Sequence, residues 1–353
     1  MKILSTKIES EYLTWLNIWR EWNGKEIFAH PDYLNLYDDY SDAMCAVFKH
    51  DDKIVLYPFC LRDLSTDFSL AQQSNDIISP YGYGGLYLIG DGDFNAIIEA
   101  FYLKFSEWAV SKNIISEFIR FDLFNESRDK YNGDIIHNND NIVCDLTKGK
   151  ELLWKEFKAK VRNNVRKATS NNISLKLDFN GDRIDDFLKV YYGTMDRRLA
   201  QATYYFNREF FLRIHEKLKG NFVYFFAEKN GEVISADLVL ISDTKIYSFL
   251  SGTDRDAFQY RPNDFVKYNI INWGVDEHKT DYVIGGGYKM LDSLFSYKKS
   301  FAPEGIIPFY VGKKIYNAEL YNQLVEFKEN ELLENSDVLD RDSDFFPLYR
   351  MNS

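Results

Sequence analysis

The stretch FAEKNGEVISADLVL, Phe226 to Leu240, joins two apolar runs at Asn230-Gly231. An Asn-Gly pair supplies the left-handed positions of a tight turn, so the stretch reads as a β-hairpin. VFKHDDKIVLYPFCL, Val47 to Leu61, repeats the pattern at the same length and turns at Asp51-Asp52. Each copy is followed by an amphipathic helix and a strand, in EWAVSKNIISEFIRFD (Glu107 to Asp122) and NWGVDEHKTDYVIGGG (Asn272 to Gly287). Trp108 and Trp273 stand in equivalent places. An order of hairpin, further strand or loop, helix and strand that occurs twice is an internal repeat. Strands interleaved with helices imply α/β or α+β layers.

The chain has 353 residues, enough for two cores. NIVCDL (Asn141 to Leu146) reads as a closing strand and Lys148 to Ser170 as a basic helix, which puts a boundary near Gly149. The expected division is 1–149, 150–312, and 313–353 as a helix followed by an irregular acidic tail from Ser336. A net charge of −11 argues against bulk attraction to nucleic acid or an anionic membrane. The sequence shows no signal-peptide h-region and no run of about 18 apolar residues, so a cytoplasmic protein is expected. The three cysteines, Cys45, Cys60 and Cys144, and the five histidines lack metal-ligand spacing, so buried thiols and no metal are expected.

ISPYGYGGLY, Ile78 to Tyr87, fits neither phosphate-loop motif. By position it is the first repeat's counterpart of SGTDRDAFQYRPND, Ser251 to Asp264, in the second. It lacks Arg and Lys, so Gly84 and its fellow glycines are read as allowing close approach of an acceptor, with Tyr81 and Tyr83 offering ring faces and hydroxyls.

These segments, with KVRNNVRKA (Lys160 to Ala168), YYGTMDRRLA and the following YYF (Tyr191 to Phe206), and GGGYKMLDSLFSYKKSF (Gly285 to Phe301), resemble the FemAB-like tandem-GNAT acyltransferases. The nearest likeness is to the FdhC-type nucleotide-linked amino-sugar N-acyltransferases. The resemblance implies two GNAT-like domains, each a mixed, mostly antiparallel sheet flanked by helices, with the acceptor on the N-terminal side and acyl-CoA on the C-terminal side. It implies coenzyme A as acyl carrier, a nucleotide-linked amino sugar as acceptor, and an amide as product. A dTDP-3-amino-3,6-dideoxyhexose and a 3-hydroxybutanoyl group are the specific pair it suggests.

The loop Arg255, Gln259, Tyr260, Arg261, Asn263 and Asp264 then falls where the family holds the coenzyme pyrophosphate, at a helix N-terminus whose free N–H groups attract anions. Ala257, Phe258 and Tyr260 replace the family's small residues there, and a capped helix with surface arginines is the plainer alternative. Arg197 matches an arginine facing the substrate pyrophosphate and Lys298 a lysine near the transfer centre. Arg162, Tyr204, Tyr205 and Tyr288 complete the expected acceptor contacts, although a basic run such as Lys160–Lys167 is commonly a solvated face. Asp237, a carboxylate in an apolar strand, is a candidate proton-transfer group or one half of an ion pair. Tyr247 is a candidate proton donor to the leaving thiolate, or a core tyrosine. The missing charged helical arm argues against the family's aminoacyl-tRNA-dependent branch; a non-catalytic sugar- or nucleotide-binding module is the third reading.

Overall fold

The structure is a computed structural model that describes residues 1–37, 40–68, 73–288, 291–334 and 337–351. The chain forms two compact units. Met1–Asn23, Phe28–Asn138 and Phe309–Ser353 make the first, and Gly24–Ile27 with Asn139–Pro308 the second. The chain therefore crosses at 23/24, 27/28, 138/139 and 308/309, where the expected boundary was near Gly149, and the C-terminal segment belongs to the first unit.

In the first unit, β1 (Lys2–Ser5), α1 (Glu9–Glu21) and α2 (Pro31–Leu34) precede the hairpin β2 (Asp42–His50) and β3 (Lys53–Asp63). Asp51 takes a left-handed φ of 54° to close it. α3 (Ser65–Phe68), β4 (Asn75–Ile78), β5 (Tyr87–Ile89), α4 (Asn95–Ser111) and β6 (Ile114–Arg120) follow. β3 pairs antiparallel with β4, and β4 pairs parallel with β6 across the α4 crossover. α4 buries Ile97, Ile98, Phe101, Tyr102 and Phe105, the i, i+4 spacing of one helix face. Trp108 packs its ring 5.5 Å from Phe59 of β3.

β7 (Asp134–Asp145) leads into the second unit, followed by α5 (Lys150–Glu156), α6 (Ala159–Ser170), β8 (Ser174–Asp178), α7 (Ile184–Arg198) and α8 (Arg208–Lys217). The second hairpin is β9 (Phe222–Lys229) and β10 (Glu232–Ile241), with Asn230 and Gly231 at φ 52° and 84° as the turn chemistry requires. β11 (Lys245–Thr253), α9 (Pro262–Asp276), β12 (Asp281–Gly286) and α10 (Ser293–Lys299) complete it. The order β8-β9-β10-β11-β12-β7 has one parallel pair, β11 with β12, again across a helical crossover. Trp273 lies 5.5 Å from Phe225, as Trp108 lies against Phe59, so the repeat extends to the packing of the crossover helix. Each unit is thus a mixed, mostly antiparallel sheet flanked by helices.

β13 (Ile306–Ile315) returns the chain to the first unit, where Val311–Ile315 pair antiparallel with β6. α11 (Ala318–Glu334) buries Tyr321, Leu324 and Val325 in a cluster with Leu64, Ile115, Leu339 and Tyr349. That burial, with the β13 pairing, is why 313–353 is no separate tail. Ser336, where the tail was expected to begin, lies outside the described residues, as do Lys289 and Met290 of the glycine-rich segment.

Candidate active site

The parallel β11–β12 ladder holds only at Lys245–Asp281, Ile246–Tyr282 and Tyr247–Val283, while β11 runs on to Thr253. The register between β10 and β11 slips at Leu238/Val239, leaving Phe249 without an opposite number. Such a bulge bends its strand and turns it from its neighbour. On β11, α7 lies so close that a Cβ on Gly252 would come within 2.4 Å of the Val190 backbone, which requires glycine there.

Below this opening sits a polar cluster in an otherwise apolar core. Lys267, on the buried side of α9, donates to Asp237 Oδ2 at 2.8 Å, to Ser248 Oγ at 2.7 Å and to Tyr282 OH at 3.1 Å. Burial opposes charge on Lys267, but Asp237 and Tyr282 outweigh it and hold the ammonium above the usual lysine range. Asp237 is therefore half of a buried ion pair. Of the two readings that the strand pattern allowed, the ion pair is the one formed, with the carboxylate engaged by the Lys267 ammonium.

Lys298, on α10, donates to Gly286 O at 2.7 Å at the end of β12. Burial, with the Lys267 charge adding to it, lowers its pKa to about 7, although Asp237 and Asp292 pull the other way. Next to it in sequence, Tyr297 has a buried hydroxyl with no hydrogen-bond partner among the described residues. Burial pushes that hydroxyl's pKa up, and Asp264, Asp237 and Tyr282 add to the effect.

Tyr247 faces elsewhere. Its hydroxyl donates to Glu26 Oε2 at 2.8 Å, and Lys245 Nζ reaches Glu26 Oε1 at 2.6 Å. Gly24 N donates to Asp243 Oδ2 at 2.7 Å and Ile27 N to Ser242 Oγ at 2.8 Å. Tyr247 thus anchors the segment Gly24–Ile27 to β11, so the expected proton donor is a core tyrosine with a carboxylate partner.

Between β11 and α9, residues Arg255–Tyr260 form a 3-10 turn, and Arg261 takes a left-handed φ of 62° before Pro262 opens the helix. Bulky residues occupy the turn, in place of a glycine-rich loop. Arg255, Gln259 and Arg261 are exposed around it. Tyr260 has the Lys229 ammonium 4.5 Å from its ring centre. Asn263 accepts from Ser235 Oγ at 3.0 Å and from Thr253 Oγ1, so it ties the helix to β10 and β11 and does not cap it. Asp264 accepts from Asn164 Nδ2 at 3.1 Å and is buried. Burial raises its pKa against the pull of Asn164 and Arg261.

Arg197 donates to Thr253 O at 3.0 Å and to Thr194 Oγ1 at 3.3 Å, with its guanidinium 4.9 Å from the Phe258 ring centre. Burial, then Arg198 and Arg255, lower its pKa, which marks three guanidinium groups gathered at this end of β11. Tyr204 and Tyr288 come together with ring centres 5.6 Å apart. Tyr205 donates to Asp196 Oδ1 at 3.0 Å. Arg162 donates from Nη1 to the Lys155 carbonyl at 3.0 Å and to the Phe157 carbonyl at the end of α5.

In the first unit, Tyr81 packs 6.4 Å from Tyr37, and its carbonyl accepts from Tyr33 OH at 2.7 Å. Tyr83 stands edge-on to Phe28 at 5.3 Å and to Phe309 at 5.7 Å, and burial pushes its hydroxyl up. Gly84 bridges to Phe121 and accepts from Asp122 N at 2.8 Å. The Gly84 backbone and the Tyr83 ring are thus spent on packing the loop.

The sequence reading missed Lys267, Glu26 and Tyr297. Lys267 had a signal, since DFVKYNII sets a lysine on an apolar helix face, where it must find a counter-charge. Glu26 had none, because its partners lie more than two hundred positions away. Among the described residues no three His, Cys, Asp or Glu are grouped to hold a metal, and no helix is long and apolar enough to cross a membrane. The three cysteines are buried and unpaired.

Residues 155–299 match the family model described as an acetyltransferase (GNAT) domain. The match runs from the end of α5 to the end of α10, includes the parted strands and the helix that follows them, and gives the chain a GNAT-type acyl-transferring domain. Among solved structures the chain is similar to FemX, with a TM-score of 0.67 at 13% identity over 92% of this chain and 99% of that one. L-PGS from Bacillus licheniformis gives 0.53 at 11%, over 88% and 93% of the two chains. A tandem GNAT protein from the clavulanic acid biosynthesis pathway gives 0.50 at 8%, over 88% and 98%. At these identities the likeness is one of fold. No curated protein matches.

Coenzyme A use follows from the GNAT domain, and the cationic side of its site fits: Arg255 and Arg261 are exposed at the α9 N-terminus beside Arg197. The amide and carboxylate sides of the expected set, Asn263 and Asp264, are held by protein groups.

Proposed function

We propose that the protein moves a short acyl group from acyl-coenzyme A to the amine of a nucleotide-linked amino sugar, for surface-polysaccharide synthesis. A 3-hydroxybutanoyl group and a dTDP-3-amino-3,6-dideoxyhexose are the pair to test first. The observation that carries the reading is Lys298, with a pKa of about 7, on the last helix of the GNAT match. Coenzyme A, when bound, supplies the activated thioester carbonyl. In the transfer the amine nitrogen bonds that carbon, the carbon–sulfur bond breaks, and the proton shed by the amine ends on the leaving sulfur. A lysine half-protonated near neutral pH can take the first proton and return it, or hold developing charge on the carbonyl oxygen. Lys267 and Asp237 set the field in which it does so. Arg255 and Arg261 would hold anionic parts of the carrier, and Tyr204, Tyr288 and Arg197 would meet the acceptor.

Incubation with acyl-CoA thioesters and free or nucleotide-linked amino sugars, with thiol release followed, tests this. No turnover with any pair sinks it.

A second reading, transfer from aminoacyl-tRNA, is favoured by the fold likeness to FemX. Against it, the helices between Arg166 and Gly285 do not exceed the 15 residues of α7 and α9, too short for a projecting arm. Binding of tRNA that falls steeply between two salt concentrations would restore it.

A further inference from the structure

Six cations and no acid lie between Phe157 and Leu177: Lys158, Lys160, Arg162, Arg166, Lys167 and Lys176, in a chain whose net charge is −11. The acids that flank the run are engaged elsewhere. Glu156 takes Lys148 at 3.0 Å, and Asp178 accepts the backbone N–H groups of Asn180, Gly181 and Arg183 at 2.9, 2.8 and 2.9 Å. α6 buries Val161, Val165 and Ala168, so its other side carries Lys160, Arg166 and Lys167 into solvent. Arg162, by contrast, is turned back onto the carbonyls at the end of α5.

This face adjoins the turn that leads into α9. Asn164 on α6 holds Asp264, in the first turn of α9, at 3.1 Å. Burial raises the pKa of that carboxylate, and Asn164, Arg261 and Lys160 pull it down. Lys229 joins the two elements again, donating to Asn171 O at 2.7 Å just past α6 and lying 4.5 Å from the Tyr260 ring centre. Coenzyme A brings only its own phosphates, which Arg255 and Arg261 at the turn can meet; the exposed cations of α6 are in excess of that need. Gathered like charge opposes the compact state, and a partner of opposite sign removes the cost. At twelve residues α6 is about 18 Å long, the footprint of one helix of a small protein. A folded RNA asks for a longer track of cations, whereas here acids return at Glu151, Glu156 and Asp178.

We infer that the outer face of α6 docks a small acidic carrier protein, which presents the acyl thioester on a phosphopantetheine arm with the arm's phosphate towards Arg255 and Arg261. The donor role rests on the acyl-transfer reading; the docking of an acidic protein does not. The transfer keeps its balance: the amine nitrogen bonds the carbonyl carbon, the carbon–sulfur bond breaks, and the thiol, with the proton shed by the amine, stays on the carrier.

Fluorescence anisotropy of a labelled acidic acyl carrier protein, charged with 3-hydroxybutanoyl on its phosphopantetheine, tests the face on the full chain and on R166Q/K167Q and R166E/K167E. The carrier should bind the unaltered chain and lose affinity as salt rises. R166E/K167E should weaken it about tenfold or more and R166Q/K167Q less, while coenzyme A affinity stays unchanged in both. Equal carrier affinity in R166E/K167E and the unaltered chain overturns the site, as does failure of the carrier to bind at low salt. Binding of tRNA in place of the carrier, lost in R166E/K167E, gives the face to RNA and overturns the carrier. Should R166E/K167E fail to fold, equal affinity in R166Q/K167Q overturns the site instead. The titration contains no acceptor, so a failure of acyl transfer, read by thiol release, leaves the docking result standing.

Discussion

Lys267 Nζ lies 2.8 Å from Asp237 Oδ2, and both side chains are almost wholly withdrawn from solvent. Removing one partner strands the other charge in the core, at a cost of about 3–5 kcal/mol, whereas replacing both by apolar residues is often close to neutral. Urea denaturation should therefore show Asp237→Leu and Lys267→Met each strongly destabilised, and the double variant close to the unaltered protein. Additive losses in the double variant would mean that the pair is not the unit described here.

Lys298 has its pKa lowered to about 7, first by burial and then by the charge of Lys267. The pH profile of acyl transfer should carry an inflection near that value. Lys298→Met should remove the inflection and cost about a hundredfold or more in kcat. Because the half-buried lysine is held below its ordinary pKa, the same variant should gain thermal stability at neutral pH. Lys267→Met takes away a like charge and should move the inflection upward.

His30 caps α2 by accepting from Asp32 N at 3.1 Å, which requires an unprotonated Nδ1. Burial, aided by Arg20, lowers its pKa to about 3, against about 6.5 in an unfolded chain. The unfolded state binds the extra proton between those values, so this contribution is complete above about pH 6.5 and is lost as pH falls towards 3. Between pH 7 and pH 4.5 the loss should be about 2–3 kcal/mol. His30→Asn keeps an acceptor at the cap and should flatten that part of the stability curve.

Asp76 is fully buried and takes Arg62 Nε at 2.7 Å, Arg350 Nε at 2.6 Å and Tyr349 OH at 3.1 Å. Arg350→Ala should cost about 1.5–3 kcal/mol and hasten protease cleavage within 337–351. Unchanged cleavage would mean that the segment is held by Leu339 and Tyr349 packing alone.

The repeat and the α/β layering are legible in local sequence pattern alone. Hairpin turns, alternating strands and an amphipathic helix are local patterns, and Asn230-Gly231 needs no distant partner to turn. Arg197, Tyr204 and Tyr288 could be named as candidates because their residue types and order match a family pattern. Which side chains are already engaged depends on contacts made only on folding. Asp237 found Lys267 on the crossover helix, and Tyr247 found Glu26 near the start of the chain. Pairing of buried charge depends on contacts between residues remote in sequence, and no local pattern records them. The same holds for the C-terminal segment: its acidic composition suggested a loose tail, while β13 pairing and the burial of Tyr349 joined it to the first unit.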